Sequence, residues 1–338
     1  MRILACALAL AAVSTAPPHW EPQTSGVTAR LRGVSAVNDR VAWASGANGT
    51  VIRTADGGAT WTKLPVPGAD TLDFRDVDAV SETTAYILSI GAGAASRIYK
   101  TTDAGARWTL QFTNDDPKAF FDAMAFWDAQ HGLAFSDSVD GRFVVIVTAD
   151  GGRTWTRVPA AALPPALPNE GAFAGSGTNI AVGSGGRAWI GTGAAARSRM
   201  LVTADRGAHW RVADTPVASS ESSGIFSVAF RDPRHGLTAG GDYRKERDAI
   251  DNAAISADGG LTWTKVSGLG GFRSVVAFVP RSTSSWIAVG PQGADWSDDD
   301  GRTWTAIPGD GFHTFAFSPT GRTGWGAGER GSIAALRR

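Results

Sequence analysis

One pattern of eight residues recurs six times along this chain and constrains its fold more than any other feature. The pattern reads Thr or Ser, any residue, Asp, any residue, Gly, two variable residues and Trp, and its first copy is residues 54–61. Successive aspartates lie 41 to 55 residues apart. A repeat of that length is one supersecondary unit that cannot bury its own apolar faces, so it must stack on its neighbours. The copies supply Asp56, Asp103, Asp150, Asp205, Asp258 and Asp299, together with Trp61, Trp108, Trp155, Trp210, Trp263 and Trp304.

Each repeat contains four short apolar segments of the kind that form strands. In the second repeat, residues 74–80 alternate between apolar and polar, and further runs follow at 84–90, 97–101 and 108–112. Four antiparallel strands per repeat is the composition of a propeller blade. We predict that the seven first strands begin near Leu31, Phe74, Phe121, Gly171, Phe226, Phe272 and Phe312.

The seventh repeat is incomplete at the end of the chain. Three strands are predicted there, at 312–317, 323–328 and 332–336, and the sequence stops before a fourth. The segment that begins at His19 and Trp20 has the composition of an outer strand, so we expect residues 20–23 to complete the last blade and hide its open edge. The predicted fold is all-β: a seven-bladed propeller with four antiparallel strands per blade, formed as one domain by residues 17–338.

The first 16 residues read as a secretory signal. Arg2 is followed by an apolar stretch and a small-residue cleavage site at 14–16, and Cys6, the one cysteine of the chain, lies inside this segment. We therefore expect export to the periplasm or beyond, without a disulfide. Acidic and basic residues balance at 32 each, which argues against a nucleic-acid partner. No later apolar run is long enough to span a membrane, and we expect a monomer.

The repeated turn has a mechanical interpretation. Its aspartate can accept backbone N–H bonds between the third and fourth strands, and the glycine two positions later can adopt a positive φ. The tryptophan then begins the outer strand, where it can wedge between blades. We therefore interpret the six aspartates and six tryptophans as structural.

These turns resemble the Asp-box, or BNR, repeats of sialidases and many secreted propellers. The repeat as a whole is similar to those of the photosystem II stability and assembly factor family, which end in T-x-D-x-G-x-x-W after a second strand that ends in Val-Gly or Ala-Gly. The similarity covers about residues 20–338. It implies an extracytoplasmic, non-catalytic role in assembly or binding. We expect the partner to be another protein or an exposed glycan.

The alternative is a glycoside hydrolase, sialidase-like, or a carbohydrate-binding protein on the same scaffold. The Arg-Ile-Pro segment of sialidases is absent, and the chain has only three tyrosines. We predict no catalytic residue, no metal site and no cofactor, because no His-Cys cluster is present and the Gly-rich segment at 191–196 does not open a helix. A hydrolase should carry an acid pair or an arginine triad at the mouth of the central channel, and we expect a scaffold to carry neither.

Loop lengths indicate where a partner would bind. On the face opposite the repeated turns, long loops are predicted between second and third strands at 136–142, 191–199 and 241–252, all in blades three to five. Arginine and tyrosine are favoured at interfaces. We therefore predict an interaction surface formed by Asp137, Arg142, Arg197, Arg199, Asp242, Tyr243, Arg244, Lys245 and Arg247. The alternative is that these charged loops are solvated, mobile turns.

Overall fold

The computed structural model describes residues 18–337, which form 28 β-strands in seven four-stranded antiparallel sheets. This confirms the predicted seven-bladed propeller. The predicted signal segment, with Cys6, lies outside the described residues. Regular helix is limited in this part of the chain to four single 3-10 turns, at Gly93–Ala95, Ala160–Ala162, Ser184–Gly186 and Glu329–Gly331.

The strands follow one another around the ring, from the innermost to the outermost of each blade. Blade one contains β2 (Leu31–Ala36), β3 (Ala42–Gly46), β4 (Thr50–Thr54) and β5 (Thr62–Lys63); blade two contains β6 (Asp73–Ala79), β7 (Ala85–Ile90), β8 (Arg97–Thr101) and β9 (Thr109–Thr113); and blade three contains β10 (Phe121–Phe126), β11 (Gly132–Val139), β12 (Arg142–Thr148) and β13 (Thr156–Arg157).

The next three blades repeat this order. Blade four contains β14 (Ile180–Gly183), β15 (Arg187–Gly191), β16 (Arg199–Thr203) and β17 (Arg211–Asp214); blade five contains β18 (Ser223–Phe230), β19 (Gly236–Asp242), β20 (Ala253–Ser256) and β21 (Thr264–Val266); and blade six contains β22 (Val275–Phe278), β23 (Trp286–Gly290), β24 (Gly293–Ser297) and β25 (Thr305–Ile307).

The two ends of the chain close the ring in blade seven. This blade contains β26 (Thr314–Phe317), β27 (Thr323–Ala327) and β28 (Ile333–Arg337), and its outermost strand is β1 (His19–Gln23). Strand β1 pairs antiparallel with all of β28, and the Trp20 ring packs 4.7 Å from the ring of Phe312. The predicted closure by the N-terminal segment is confirmed.

The apolar core is divided among the seven junctions between blades. Each of seven buried clusters takes its side chains mainly from two neighbouring blades. The tryptophan of each repeated turn packs on the preceding blade: Trp108 of blade two, for example, meets Trp43 of blade one edge to face at 6.2 Å. Burying large rings in this way stabilises the ring of blades, since an aromatic side chain removes 150–250 Å² from water.

The six repeated turns share one hydrogen-bond pattern. In each turn the aspartate Oδ1 accepts the backbone N–H four residues later at 2.9 Å. The hydroxyl two residues before the aspartate accepts the N–H of the glycine, as Thr54 does from Gly58 at 2.8 Å. The N–H and the hydroxyl of Thr60 lower the pKa of Asp56 to about 2. The carboxylates are therefore used in holding the turns.

Blade four departs from the predicted strand pattern. Its first strand is Ile180–Gly183, whereas we predicted a start near Gly171. The strand begins later because residues 172–178 leave the plane of the sheet and enter the central channel. The first strands of blades six and seven also begin two or three residues later than predicted, at Val275 and Thr314.

Candidate functional site

The segment 172–178, which we name the channel segment, crosses the centre of the ring. The Ser176 hydroxyl donates to the Ser274 carbonyl of the region before blade six at 2.8 Å, and the Thr178 hydroxyl donates to Ser227 Oγ of blade five at 2.8 Å. On the opposite side, Arg32 of blade one donates to the Gly175 carbonyl at 3.2 Å. The channel segment is thus held by strands from across the ring.

Small residues make this path possible. The segment reads Ala-Phe-Ala-Gly-Ser-Gly-Thr, and Gly177 has φ 77°. A side chain at Gly177 would collide with the carboxylate of Asp76. Glycine is therefore required here both by the positive φ and by the lack of space.

The channel segment divides the channel into two compartments. On the face of the second-to-third strand loops lies a cavity of about 770 Å³, which we name the mouth cavity; its floor includes Ala174 and Gly175. On the face of the repeated turns a cavity of about 250 Å³ is lined by Ser176, Gly177 and Thr178. The mouth cavity is therefore closed at the channel segment and does not continue as a channel to the opposite face.

Four first strands carry a β-bulge that places one side chain in the mouth cavity. The bulged residues are Arg32, Arg75, Asp122 and Phe226, each of which falls at a shift in register between the first and second strands of its blade. A bulge leaves one residue outside the ladder and re-aims its side chain. All four residues line the mouth cavity. The site is therefore built from the rigid inner strands and not from the loops alone.

Three arginines meet on one side of the mouth cavity. Arg30 and Arg75 share the carboxylate of Asp73, at 3.6 and 2.9 Å. Arg75 also donates to the Ala174 carbonyl at 3.0 Å. Arg32 lies beside them, and in the part of the chain that the structure describes no carboxylate oxygen comes within 4.0 Å of its guanidinium. The arginine cluster thus carries three positive charges against one closely paired negative charge.

The half-buried Arg32 differs from the two buried arginines Arg199 and Arg273. Arg199 is paired with the fully buried Glu170, and Arg273 donates to Asp295 at 2.7 Å. Buried charges in proteins are normally paired in this way, because an isolated one loses its hydration without compensation. Arg32 keeps only the Gly175 carbonyl as a partner, and within residues 18–337 its Nε–H is buried without an acceptor.

The electrostatics of the cavity reflect this weakly compensated charge. Burial, together with the charges of Arg75 and Arg30, lowers the pKa of Arg32 to about 10, and the carboxylates of Asp73 and Glu329 offset only part of this effect. Burial also lowers the pKa of His313 to about 4, with Arg32 as the second cause, although the imidazole lies 3.3 Å from the Glu329 carboxylate. This side of the cavity therefore disfavours any additional cation and favours an anion.

A pair of carboxyl groups occupies the neighbouring wall. Burial raises the pKa of Asp122 well above its ordinary value, and the charge of Asp137 raises it further. Burial raises the pKa of Asp137 to about 6, although its Oδ1 accepts the Ala172 N–H at 2.9 Å. Asp122 is only 1% exposed. We expected a scaffold to show neither an arginine cluster nor an acid pair, but the mouth cavity contains both, so that criterion does not separate the two functions.

An aromatic wall faces the arginine cluster. We use this name for Phe173, Phe226, Tyr243 and Phe272, which all line the mouth cavity. Phe173 stacks on Phe226 at 4.2 Å, and Phe272 meets Phe226 edge to face at 4.6 Å. Tyr243 contacts both stacked rings at about 6 Å and remains 42% exposed. The mouth cavity therefore has an arginine cluster, a carboxyl pair and an aromatic wall as distinct parts of its lining.

The structure places the predicted interaction residues on the expected face but brings only two of them into the cavity. Asp137 and Tyr243 line it, and Arg199 is buried in the ion pair that holds Glu170 beside the channel segment. The others lie on the surrounding rim: Arg142, Lys245 and Arg247 are exposed, Asp242 is half-buried, Arg197 pairs with Asp214 at 3.2 Å, and Arg244 pairs with Glu221 at 3.0 Å.

Sequence reasoning missed Arg30, Arg32, Arg75 and Asp122. A signal was present, since Arg32, Arg75 and Asp122 each follow the first apolar residue of an inner strand, where a charge interrupts the apolar pattern. Within residues 18–337, no group of three or more metal-binding side chains is found, and no helix is long and apolar enough to cross a membrane.

Comparison with known proteins gives similarity at the level of fold. No family model matches this sequence, and no curated protein is similar to it. Among solved structures, "YCF48 bound to D1 peptide" has a TM-score of 0.67 and 18% identity, covering 99% of this chain and 100% of its own. YCF48 from Cyanidioschyzon merolae has a TM-score of 0.69 and 16% identity, covering 94% and 99%.

A third structure is an enzyme. The GH74 enzyme of Niastella koreensis has a TM-score of 0.63 and 17% identity over 93% of this chain and 53% of its own. At such identities the similarity shows a shared seven-bladed fold and no shared activity. The resemblance to assembly-factor propellers is supported at that level, while no Asp-box family is shown.

Proposed function

We propose that this protein is a non-catalytic propeller that binds a partner polypeptide by the carboxylate at its chain end. One observation carries the proposal: Arg32 is a half-buried guanidinium with a buried Nε, flanked by two more arginines, and no carboxylate oxygen among the described residues lies within 4.0 Å of it. An arginine fork matches a carboxylate geometrically and binds it with charge-assisted hydrogen bonds. A ligand carboxylate would supply the missing counter-charge.

The shape of the mouth cavity favours a chain end. The channel segment closes the floor of the cavity at Ala174 and Gly175, so an inserted polypeptide cannot pass through to the other face. An internal segment would have to enter and leave by the same opening. A terminal carboxylate reaches the arginines directly, and the cavity of about 770 Å³ is of the size that binding sites usually have.

Two further observations support a protein partner. One structural neighbour is a propeller solved with a bound peptide. The rim also carries exposed Lys245 and Arg247, together with the half-buried Asp242 at the end of β19, and these residues can contact the rest of the partner. We propose that binding serves the assembly or stability of a complex outside the cytoplasm.

Paired peptide libraries test this function. Fluorescein-labelled peptides of random sequence should bind the wild-type protein when their C-terminal carboxylate is free and should bind at least about tenfold more weakly when it is amidated. Arg32→Gln and Arg75→Gln should each weaken binding of the free-acid library by about tenfold or more, because charge-assisted bonds are lost.

The controls separate this effect from unfolding and from other acidic ligands. Arg211→Gln changes an exposed arginine on the outer strand of blade four and should leave binding unchanged. A third, amidated library with one internal aspartate distinguishes a side-chain carboxylate from a terminal one. Equal binding of free-acid and amidated peptides, or unchanged binding by Arg32→Gln, contradicts the proposal.

The second candidate is glycoside hydrolysis, and the carboxyl pair is the observation in its favour. A raised pKa on one carboxyl beside a second is the arrangement that glycosidases use for general acid catalysis. Asp122 is nevertheless almost fully buried, and one oxygen of Asp137 is used by the Ala172 N–H. We expect no turnover of fluorogenic glycosides. Turnover that Asp137→Asn abolishes would favour the hydrolase.

We also propose that the protein is exported, on the basis of its first 16 residues. Expression with and without this segment, followed by cell fractionation, tests the proposal. The full chain should be recovered outside the cytoplasm and shortened at its N-terminus, whereas the truncated chain should stay inside. Retention of the full chain in the cytoplasm contradicts it.

A further inference from the structure

The aromatic wall has no role in holding a carboxylate, and it opens on the same cavity as the arginine cluster. We propose that it makes the site selective for ligands whose last residue has an aromatic or large aliphatic side chain. This inference rests on the proposed function, because it assumes that a terminal carboxylate lies on the arginines.

The arginine cluster and the aromatic wall meet at the channel segment. Arg75 donates to the Ala174 carbonyl at 3.0 Å, and Phe173 is the residue that precedes Ala174 in the chain. Consecutive Cα atoms are about 3.8 Å apart, so the aromatic wall begins one residue away from the arginine contact. Both groups line the same cavity, so we infer that a ligand whose carboxylate reaches the arginine cluster can place the side chain of its last residue beside Phe173.

The wall is rigid at its base and open at its edge. Phe226 and Phe272 are each 4% exposed and meet edge to face. Phe226 also stacks on Phe173 and so fixes the position of that ring. Phe173 is half-buried and Tyr243 is exposed, so these two rings can be covered by a ligand. The Arg244 guanidinium lies 5.7 Å from the centre of the Tyr243 ring, within range of a cation–π contact. Exposed rings beside the arginine cluster are suited to bind a ligand residue that has an apolar side chain and a carboxylate.

The sequence context explains why these rings are available. Phe226 is the bulged residue of blade five, Phe173 belongs to the channel segment, and Tyr243 lies on the long loop that follows β19. Each of these three rings comes from an irregularity in the repeat, and all three line the mouth cavity. Regular repeats would have directed these side chains into the junctions between blades.

The test uses short Gly-Ser peptides, labelled with fluorescein, that have a free carboxylate and end in Phe, Leu, Ala or Ser. Peptides ending in Phe or Leu should bind at least about tenfold more tightly than those ending in Ala or Ser. Tyr243→Ala should reduce this preference to about threefold or less, while Leu261→Ala, which removes a similarly exposed apolar side chain, should leave it unchanged.

The outcomes distinguish this inference from the proposed function. Arg32→Gln should weaken all four peptides by the same factor, so the preference for Phe over Ser should persist. If all free-acid peptides bind equally and still depend on Arg32, the selectivity is refuted and the carboxylate site stands. If binding does not depend on Arg32, the proposed function fails. An absence of binding up to about 1 mM, or tighter binding of N-acetylneuraminic acid than of any peptide, overturns the inference.

Discussion

Replacing Arg32 with methionine should make the folded protein more stable. The pKa of Arg32 is lowered from 12.5 to about 10, chiefly by burial, which corresponds to a destabilisation of the charged form by about 3 kcal/mol. Methionine removes the charge and keeps an unbranched side chain of similar reach. It also removes the bond to the Gly175 carbonyl, which costs about 1 to 2 kcal/mol. We therefore expect a net gain of about 1 to 2 kcal/mol in the free energy of unfolding.

The matched control is Arg273→Met. Arg273 is 2% exposed and its Nε–H donates to the carboxylate of Asp295 at 2.7 Å, so its removal leaves a buried negative charge without its partner. That change should lower the free energy of unfolding by about 3 to 5 kcal/mol. The two substitutions are chemically identical and differ in whether the arginine has a carboxylate partner.

Urea denaturation followed by tryptophan fluorescence measures both effects. The account predicts that the unfolding midpoint shifts upward for Arg32→Met and downward for Arg273→Met, with the same dependence on urea concentration as the wild type. The gain should be accompanied by loss of peptide binding, because functional sites commonly trade stability for activity. A loss of stability in Arg32→Met as large as that in Arg273→Met would show that the fold itself neutralises Arg32, and would refute the reasoning.

Three further predictions concern the ring itself. Asp299→Ala removes the acceptor for the Thr303 and Arg302 N–H groups. It should lower the free energy of unfolding by about 1 to 2 kcal/mol without changing peptide binding. Asp310→Ala, at an exposed position, should change neither the free energy of unfolding nor binding. Burial raises the pKa of Asp78 to about 6, so the folded state holds this proton more tightly than the unfolded chain. Protonation of Asp78 should therefore contribute about 1 kcal/mol to the change in stability from pH 7 to pH 5. In urea titrations at the two pH values, Asp78→Asn should lack that contribution when it is compared with the wild type. Deletion of residues 1–23 removes the outermost strand of blade seven, so it should lower the Tm and promote association of the exposed edge. An unchanged Tm together with a monomeric elution volume would contradict closure of the ring by the N-terminal strand.

The architecture was predictable because it follows from local sequence patterns that are repeated along the chain. The alternation of residues 74–80 and the turn chemistry around Asp56 are each readable within a few residues, and repetition adds the evidence of six copies. Ring closure was predictable for a similar reason: the last blade lacked one strand, and the segment around Trp20 had the composition of that strand. Local patterns determine which elements form, and stacking of equal units then leaves one arrangement.

The site was less predictable because it depends on departures from the repeat. A bulge at Arg32 or Arg75 is a property of the register between two strands, which apolar alternation does not specify. The sequence predicts an inner strand that starts near Gly171, because small residues such as Ala172 and Ala174 suit either a crowded inner strand or a path across the channel.

The contrast between two arginines shows the same limit. Arg32 and Arg199 both lie on strands and both face the mouth of the ring, and the sequence favoured Arg199 as an interface residue. In the structure Arg199 is buried against Glu170, which lies 29 residues away in the chain, whereas Arg32 has no such partner among the described residues. Tertiary packing decides which of the two arginines has a carboxylate partner. The residues that flank each arginine in the sequence do not reveal that partner.

The most direct test of the central claim is a double-mutant cycle between Arg32 and the terminal carboxylate of the ligand. Dissociation constants of one peptide ending in Phe, as its free acid and as its amide, would be measured for the wild-type protein and for Arg32→Gln. The account predicts a coupling energy of about 1.5 to 3 kcal/mol, because the guanidinium and the carboxylate contact each other directly. A coupling energy near zero, with amidation and substitution acting independently, would contradict the account.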